Sequence, residues 1–482
     1  MKFRSFLNKN GTRSLLATLI SILIGLIAGA ITIYLVGVLD KNLGVKEAWK
    51  GIRLIFLGLF SNGIDSAGNL VFGFNTANIG DMLFRATPII MTGLSVSLAY
   101  KTGLFNIGAS GQFLAGTTAA LFLALKLPTD VIPAWIVWLI AFLGGMCAGA
   151  LWGALPGLMK AFLNINEVLA CIMTNWLAAN LVTWAFEYSG LQCTEGTKTQ
   201  VIWKTAHNGV ANPKFGLDKL FPGSSQVDGG IIIAIIFAVL IYILLTKTTL
   251  GYELKACGSN RHAARYAGIR DKRSIVLSMA IAGALAGLGG TLYYLSGTTE
   301  FHWQTYLSLP GEGFTGIAVS LLGACNPIAN IFTGMFLSTL DVAGSKLSFF
   351  TEYNEYITDV IIAVIVYLSA FSLFIKLMIT KWLKVKEPDK LGLSGTEAPA
   401  EKRGVNVPGL VGLYICWTGL PGLIVSSIGM KNLKSGLYER PYKLATKLGF
   451  ILSILTTVAS AAALIVLLFF PPTALGVIGL IN

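Results

Sequence analysis

The sequence predicts an all-α polytopic membrane protein with about ten core helices and a hydrophobic C-terminal extension. Three observations carry this. Hydrophobic residues fill 54% of the 482 positions and charged residues 12%, against about 25% charge in soluble domains. Apolar runs long enough to cross about 30 Å of hydrocarbon recur along the chain. Lys and Arg, 36 against 23 Asp and Glu, gather between those runs. In a membrane protein such gathering marks cytoplasmic loops, not a polyanion partner. The balance excludes a soluble enzyme and a disordered or nucleic-acid-binding chain. None of the six cysteines has Cys-x-x-Cys spacing and the three histidines lie far apart, so neither a disulfide framework nor a metal site is implied.

The elements follow in order. Residues 14–39 carry no charge and follow Lys2, Arg4, Lys9 and Arg13. That is too long for a signal-peptide core and predicts an uncleaved first helix, N-terminus in the cytoplasm. The segment 47–60 starts amphipathic and predicts a helix lying at the outer surface. Apolar blocks follow at 86–100, 102–125, 131–159 and 168–186. The stretch 187–228 is polar, 229–246 apolar, 247–273 basic and 274–299 uncharged. Residues 313–340 are uncharged but interrupted by Asn326-Pro327. Pro lacks an N–H, so two shorter helices that enter and return are expected there. That arrangement leaves the acidic stretch 341–359 outside, and 360–375 closes a core of residues 1–380. Residues 381–403 read as a cytoplasmic linker. Residues 404–482, apolar runs around a basic loop, read as an appended membrane module packed outside the core.

The apolar blocks hold almost no ionisable residue. The nearest is Glu167, beside Asn164 and Asn166, an interfacial carboxylate or a group on a polar path. Asn175 lies in the run that follows. No G-x-x-x-x-G-K-[ST], H-E-x-x-H or G-x-S-x-G occurs, so the chain has no Walker A loop of its own and no assembled catalytic set. Energy for active transport would have to come from another subunit.

Two segments stand out. In LFNIGASGQ (104–112), Asn106, Ser110 and Gln112 interrupt an apolar block beside Gly108 and Gly111. The residues alone allow a broken helix lining a water-filled path or polar glue between packed helices. In the basic stretch, Asn260 is a candidate N-cap for a short helix over 261–267 ended by Gly268. Such a helix can dock into a partner's cleft, or the stretch is a solvated positive-inside loop.

Together, TPIIMTGLSVSLAYKTGLFNIGASGQ (87–112), GYELKACGSNRHAARYAGI (251–269) and GFTGIAVSLLGACNP (313–327) resemble the permease subunits of ABC importers for nucleosides and simple sugars. The order and spacing fit over roughly residues 1 to 380. The form NIGA-x-GQ is similar to the nucleoside branch, which usually has Glu where this chain has Ser110. The 404–482 extension is not part of the family pattern. The resemblance implies a bacterial cell-membrane permease that binds no cofactor itself. Its expected partners are an ATPase subunit with two nucleotide-binding domains that uses ATP and Mg, a second homologous permease, an extracytoplasmic substrate-binding lipoprotein and the lipid bilayer. Asn106, Ser110, Gln112, Asn166, Glu167 and Asn175 are the expected path residues. Arg261, His262, Ala263, Ala264, Arg265, Tyr266 and Gly268 would form the coupling helix. The alternatives are a pentose or hexose importer permease, or an ATP-independent facilitator or channel.

Overall fold

The computed structural model describes residues 10–39, 44–66, 69–191, 210–224, 226–303, 309–353 and 356–369. The expected linker (381–403) and appended module (404–482) lie outside the described residues. The first long element, α1, spans Asn10–Leu39. An amphipathic helix α2 (Val45–Leu57) follows, then a 3-10 turn and a two-stranded antiparallel hairpin, β1 (Ser61–Ile64) and β2 (Leu70–Phe72). The central helices are α3 (Thr76–Lys101), α4 (Ala109–Lys126), α5 (Ala134–Leu163) and α6 (Glu167–Glu187). After a single-turn α7 (Leu217–Leu220) come α8 (Gly230–Lys247), α9 (Thr249–Ser259), α10 (Arg261–Tyr266) and α11 (Asp271–Tyr294). The described chain ends with α12 (Gly311–Leu322), α13 (Pro327–Phe350) and α14 (Tyr356–Ser369). Among the described residues, α3, α5, α6, α8 and α11 are each long and apolar enough to span a membrane, and Ile22–Val38 and α12 are shorter apolar helices.

Three breaks in this helical run have local causes. Between α3 and α4, Gly103 takes a positive φ of 74° and its backbone lies against that of Gly258 at the end of α9. Between α12 and α13, Ala324 and Cys325 are left-handed (φ 50° and 54°). Asn326 then caps α13 by accepting from the Ile328 N–H at 3.0 Å, and Pro327 occupies the first turn, where no N–H is needed. The interruption at Asn326-Pro327 is thus a helix end followed by a capped start. Before α10, Asn260 accepts from the Ala263 N–H at 3.0 Å, and Gly268 closes the segment with φ 83°.

Helices α3 and α11 lie at the centre. α11 packs on α3, α4 and α5, and α3 packs on α8, α12 and α13. The contact of α5 with α11 is a seam of small residues. Gly145, Gly149, Gly153 and Gly157 repeat every four positions on one face of α5, opposite Met279, Gly283, Gly287 and Thr291. A Cβ at Gly149 would lie 2.8 Å from the Gly287 Cα, and one at Gly153 2.8 Å from the Gly283 Cα. Only glycine lets the two backbones approach this closely. Gly116 of α4 meets Gly287 in the same way, so three helices converge at one level.

Outside the spans, Asp228 ties the start of α8 to the end of α11. Its carboxylate accepts from the Gly230 N–H (2.8 Å) and from Asn212 (2.8 Å), and the Asn212 amide also donates to the Leu292 carbonyl (2.6 Å). Burial pushes this carboxyl up from 3.8 to about 6 even though both hydrogen bonds oppose the shift.

Two outcomes follow. Gly149→Leu overpacks the α5–α11 seam and lowers the apparent melting temperature in detergent by an amount equivalent to about 1–3 kcal/mol. Leu151→Ala, on an exposed face of α5, leaves it within about 0.5 kcal/mol. A carboxyl whose native pKa is raised lends its stability in full below its unfolded value and loses it as pH rises through the folded value. Melting temperature therefore declines between pH 4 and pH 7 through Asp228, and Asp228→Asn flattens that decline.

Candidate functional site

The broken segment after α3 is held by amides. Asn106 and Gln112 form a reciprocal pair: Asn106 Nδ2 donates to Gln112 Oε1 at 2.7 Å, and Gln112 Nε2 donates to Asn106 Oδ1 at 3.0 Å. Asn106 also donates to Ser95 Oγ (2.9 Å) and accepts from the Gly108 N–H (3.1 Å). Asn175 of α6 completes the cluster. It accepts from the Gly111 N–H at 2.9 Å and donates to the Ile107 carbonyl at 3.0 Å. These are backbone groups orphaned by the break and by the start of α4. All of these side chains are buried. Ser110 donates to the Pro310 carbonyl (3.2 Å), and the next turn presses on it, since a Cβ at Gly313 would lie 2.6 Å from the Ser110 Cα.

The remaining expected path residues lie apart from this cluster. Asn166 is exposed and caps α6, accepting from the Val168 N–H at 2.8 Å. Glu167 pairs with Lys160 at 2.9 Å. The structure therefore brings Asn106, Ser110, Gln112 and Asn175 together and leaves Asn166 and Glu167 at a helix boundary.

The short basic helix α10 is anchored at one end and open along its length. Arg261 Nε donates to Asp271 Oδ2 at 2.7 Å, and Ala264 is buried. His262, Ala263, Arg265, Tyr266 and Gly268 are exposed, Tyr266 at 94%. A groove of about 980 Å³ runs beside it, lined by Tyr252, Glu253, Ala256, Asn260 and Ala263 among others. A large aromatic side chain held in water beside a groove is unusual for a solvated loop.

A second polar site was not expected from the sequence. A cavity of about 260 Å³ lies among α3, α11, α12, α13 and the segment before α8. Phe84, Arg85, Gln226, Tyr293, Glu312 and Asp341 line it. Phe84 and Tyr293 stack at 5.2 Å with 20° between ring planes. In the sequence Arg85 borders an apolar block and Asp341 opens the acidic stretch expected outside. The helices run past those edges. Arg85 lies nine residues from the start of α3 (85 − 76), and Asp341 nine residues from the end of α13 (350 − 341), about 13 Å along each axis. Ser338 of α13 donates to the Met82 carbonyl of α3 at 2.6 Å, which fixes the two helices at the same level. No ion pair within 4.0 Å joins Arg85 to Glu312 or Asp341.

Removing Asn106 leaves the Gln112 amide buried without a partner, and removing Gln112 strips Asn106 of two of its hydrogen bonds while those with Ser95 and the Gly108 N–H remain. Asn106→Leu and Gln112→Leu each cost about 1–3 kcal/mol of stability. The double variant costs less than the sum of the two, by thermal unfolding in detergent, because no orphaned amide remains.

The comparisons agree with this architecture. The family model described as branched-chain amino acid transport system / permease component matches residues 78–370. The nucleoside ABC transporter permease protein NupB of Lactococcus lactis subsp. cremoris is 33% identical over 81% of this chain and 100% of its own. The guanosine ABC transporter permease protein NupP of Bacillus subtilis is 32% identical over 77% of this chain and 97% of its own. A glucose ABC transporter permease protein of Haloferax volcanii is 28% identical over 73% and 90%. Lactococcus and Bacillus each hold a second, more distantly similar permease, NupC and NupQ. No solved structure matches. The chain belongs to the branched-chain amino acid transport system permease family, as a multi-pass membrane component of an ABC transporter.

Proposed function

We propose that this chain is the permease subunit of an ATP-driven importer of nucleosides in the bacterial cell membrane, with its N-terminus in the cytoplasm. The observation that carries the reading is similarity along nearly the whole length of a nucleoside and a guanosine permease. The paired permeases of Lactococcus and Bacillus support a second permease beside this one. An ATPase subunit with two nucleotide-binding domains supplies the energy, and an extracytoplasmic lipoprotein delivers substrate. In this reading α10 is the coupling helix. Its exposed Arg265 and Tyr266 enter the ATPase surface, while the Arg261–Asp271 pair holds the helix to α11. Asn106, Ser110, Gln112 and Asn175 belong to the path at the break between α3 and α4, where a helix that alternates access bends. Asn166 and Glu167 stand at its end. The 404–482 module serves assembly and lines no path. Similarity to a glucose permease supports a sugar importer as the second reading.

Uptake of labelled guanosine by a strain lacking this chain tests the substrate. The expected result is loss of import, restored by the wild-type chain; intact import in the deletion, or restored hexose uptake in its place, overturns the reading. In the restored strain, Arg265→Glu presents the wrong charge to the ATPase. It is expected to lower import about tenfold or more with normal membrane abundance.

A further inference from the structure

The charged cavity asks for an occupant. Charged side chains about 13 Å inside helices of a membrane bundle are costly and persist where they pair or serve a ligand. Arg85 and Asp341 share one wall region without an ion pair between them. A stacked aromatic pair, Phe84 and Tyr293, borders the same space. The volume, about 260 Å³, is close to the lower end for a small-molecule site, about 300 Å³.

The cavity is also next to the amide cluster. The first turn of α12 separates them: Glu312 lines the cavity, and its neighbour Gly313 abuts Ser110. Thr92 of α3 donates to the Glu312 carbonyl at 2.9 Å, and a Cβ at Gly316 would lie 2.6 Å from the Thr92 Cβ. One helical turn thus stands between a charged chamber and the polar break.

We propose that this cavity is a binding station for a neutral nucleoside on its way to the α3–α4 break. Resting on the nucleoside reading above, the assignment adds where the substrate is held and by what. The carboxylates of Glu312 and Asp341 accept from the ribose hydroxyls. Arg85 and Gln226 donate to acceptors on the base edge. The Phe84–Tyr293 pair offers an apolar face to the base. One guanidinium against two carboxylates disfavours a ligand that carries phosphate.

The test uses the full transporter in the complemented strain, with labelled guanosine and labelled 2′,3′-dideoxyguanosine as probes, each well below its half-saturating concentration, where a loss of binding lowers the rate. Wild-type guanosine import is read first; its absence overturns the nucleoside reading and, with it, this assignment. With import present, Glu312→Gln and Asp341→Asn each lower the guanosine rate about tenfold, the worth of a hydrogen bond to a charged group. The rate for the analogue, which lacks the hydroxyls, changes less than twofold. Arg85→Lys keeps more import than Arg85→Gln. Gln226→Ala, a substitution outside the helices, lowers both rates together, and it carries the test if a carboxamide variant fails to accumulate in the membrane. Unchanged rates in variants of normal abundance overturn the station while leaving the nucleoside reading intact. An equal fall for both probes in Glu312→Gln and Asp341→Asn also overturns it, because it marks charges that only hold the fold.

Discussion

The close approach of α5 and α11 is the constraint on which the rest of the structure depends. In lipid no hydrophobic force draws one apolar helix to another, so association rests on packing. Glycines every four residues on α5 let its backbone touch that of α11. Gly116 brings α4 to the same level. Once α11 is fixed against α4 and α5, its other face presents Tyr293 toward Phe84 of α3. The amide cluster in turn joins residues of α3, α4 and α6 across the break.

That break would be expensive if it were left alone. A backbone N–H or carbonyl without a partner costs more in a membrane interior than at a protein surface, since no water is there to replace it. Here side chains satisfy the interrupted backbone. Asn175 serves one N–H and one carbonyl, and Asn106 serves the Gly108 N–H while exchanging two bonds with Gln112. Ser110 is part of this economy: its hydroxyl reaches the Pro310 carbonyl, and Gly313 leaves it little room. A Glu at that position would bring a longer, charged side chain into a space closed by the α12 backbone.

Some helix ends were legible because the residues that bound them act locally. Asn260 and Gly268 bracket α10, and Asn326-Pro327 starts α13, as capping rules predict. The helix count was less legible. Length and apolarity together select α3, α5, α6, α8 and α11, while α12 is too short to cross alone. What the sequence hid was charge placed within helices. A hydropathy run ends at the first ionisable residue, whereas a helix ends where its hydrogen bonds are capped. Asn75 caps α3 by accepting from the Asn78 N–H at 3.1 Å, ten residues before Arg85. The apolar block beginning at 86 therefore starts well inside that helix, with Arg85 at its charged edge.

The two polar sites differ in a way that bears on transport. The amide cluster is internally satisfied, so a passing solute must compete with bonds already made. The cavity holds donors and acceptors with no ion pair within 4.0 Å among them, so a solute competes there with fewer bonds. Binding followed by release needs that order: a site that welcomes the solute, then a segment that yields only when the helices move. The first turn of α12 meets both, with Glu312 in the cavity wall and Gly313 against Ser110. Its partner α13 begins after a left-handed, proline-started turn, so the two helices are linked by a joint and not by a continuous helix. A small rotation of α12 would change the cavity wall at Glu312 and the pressure of Gly313 on Ser110 together, which couples occupancy of one site to the opening of the other.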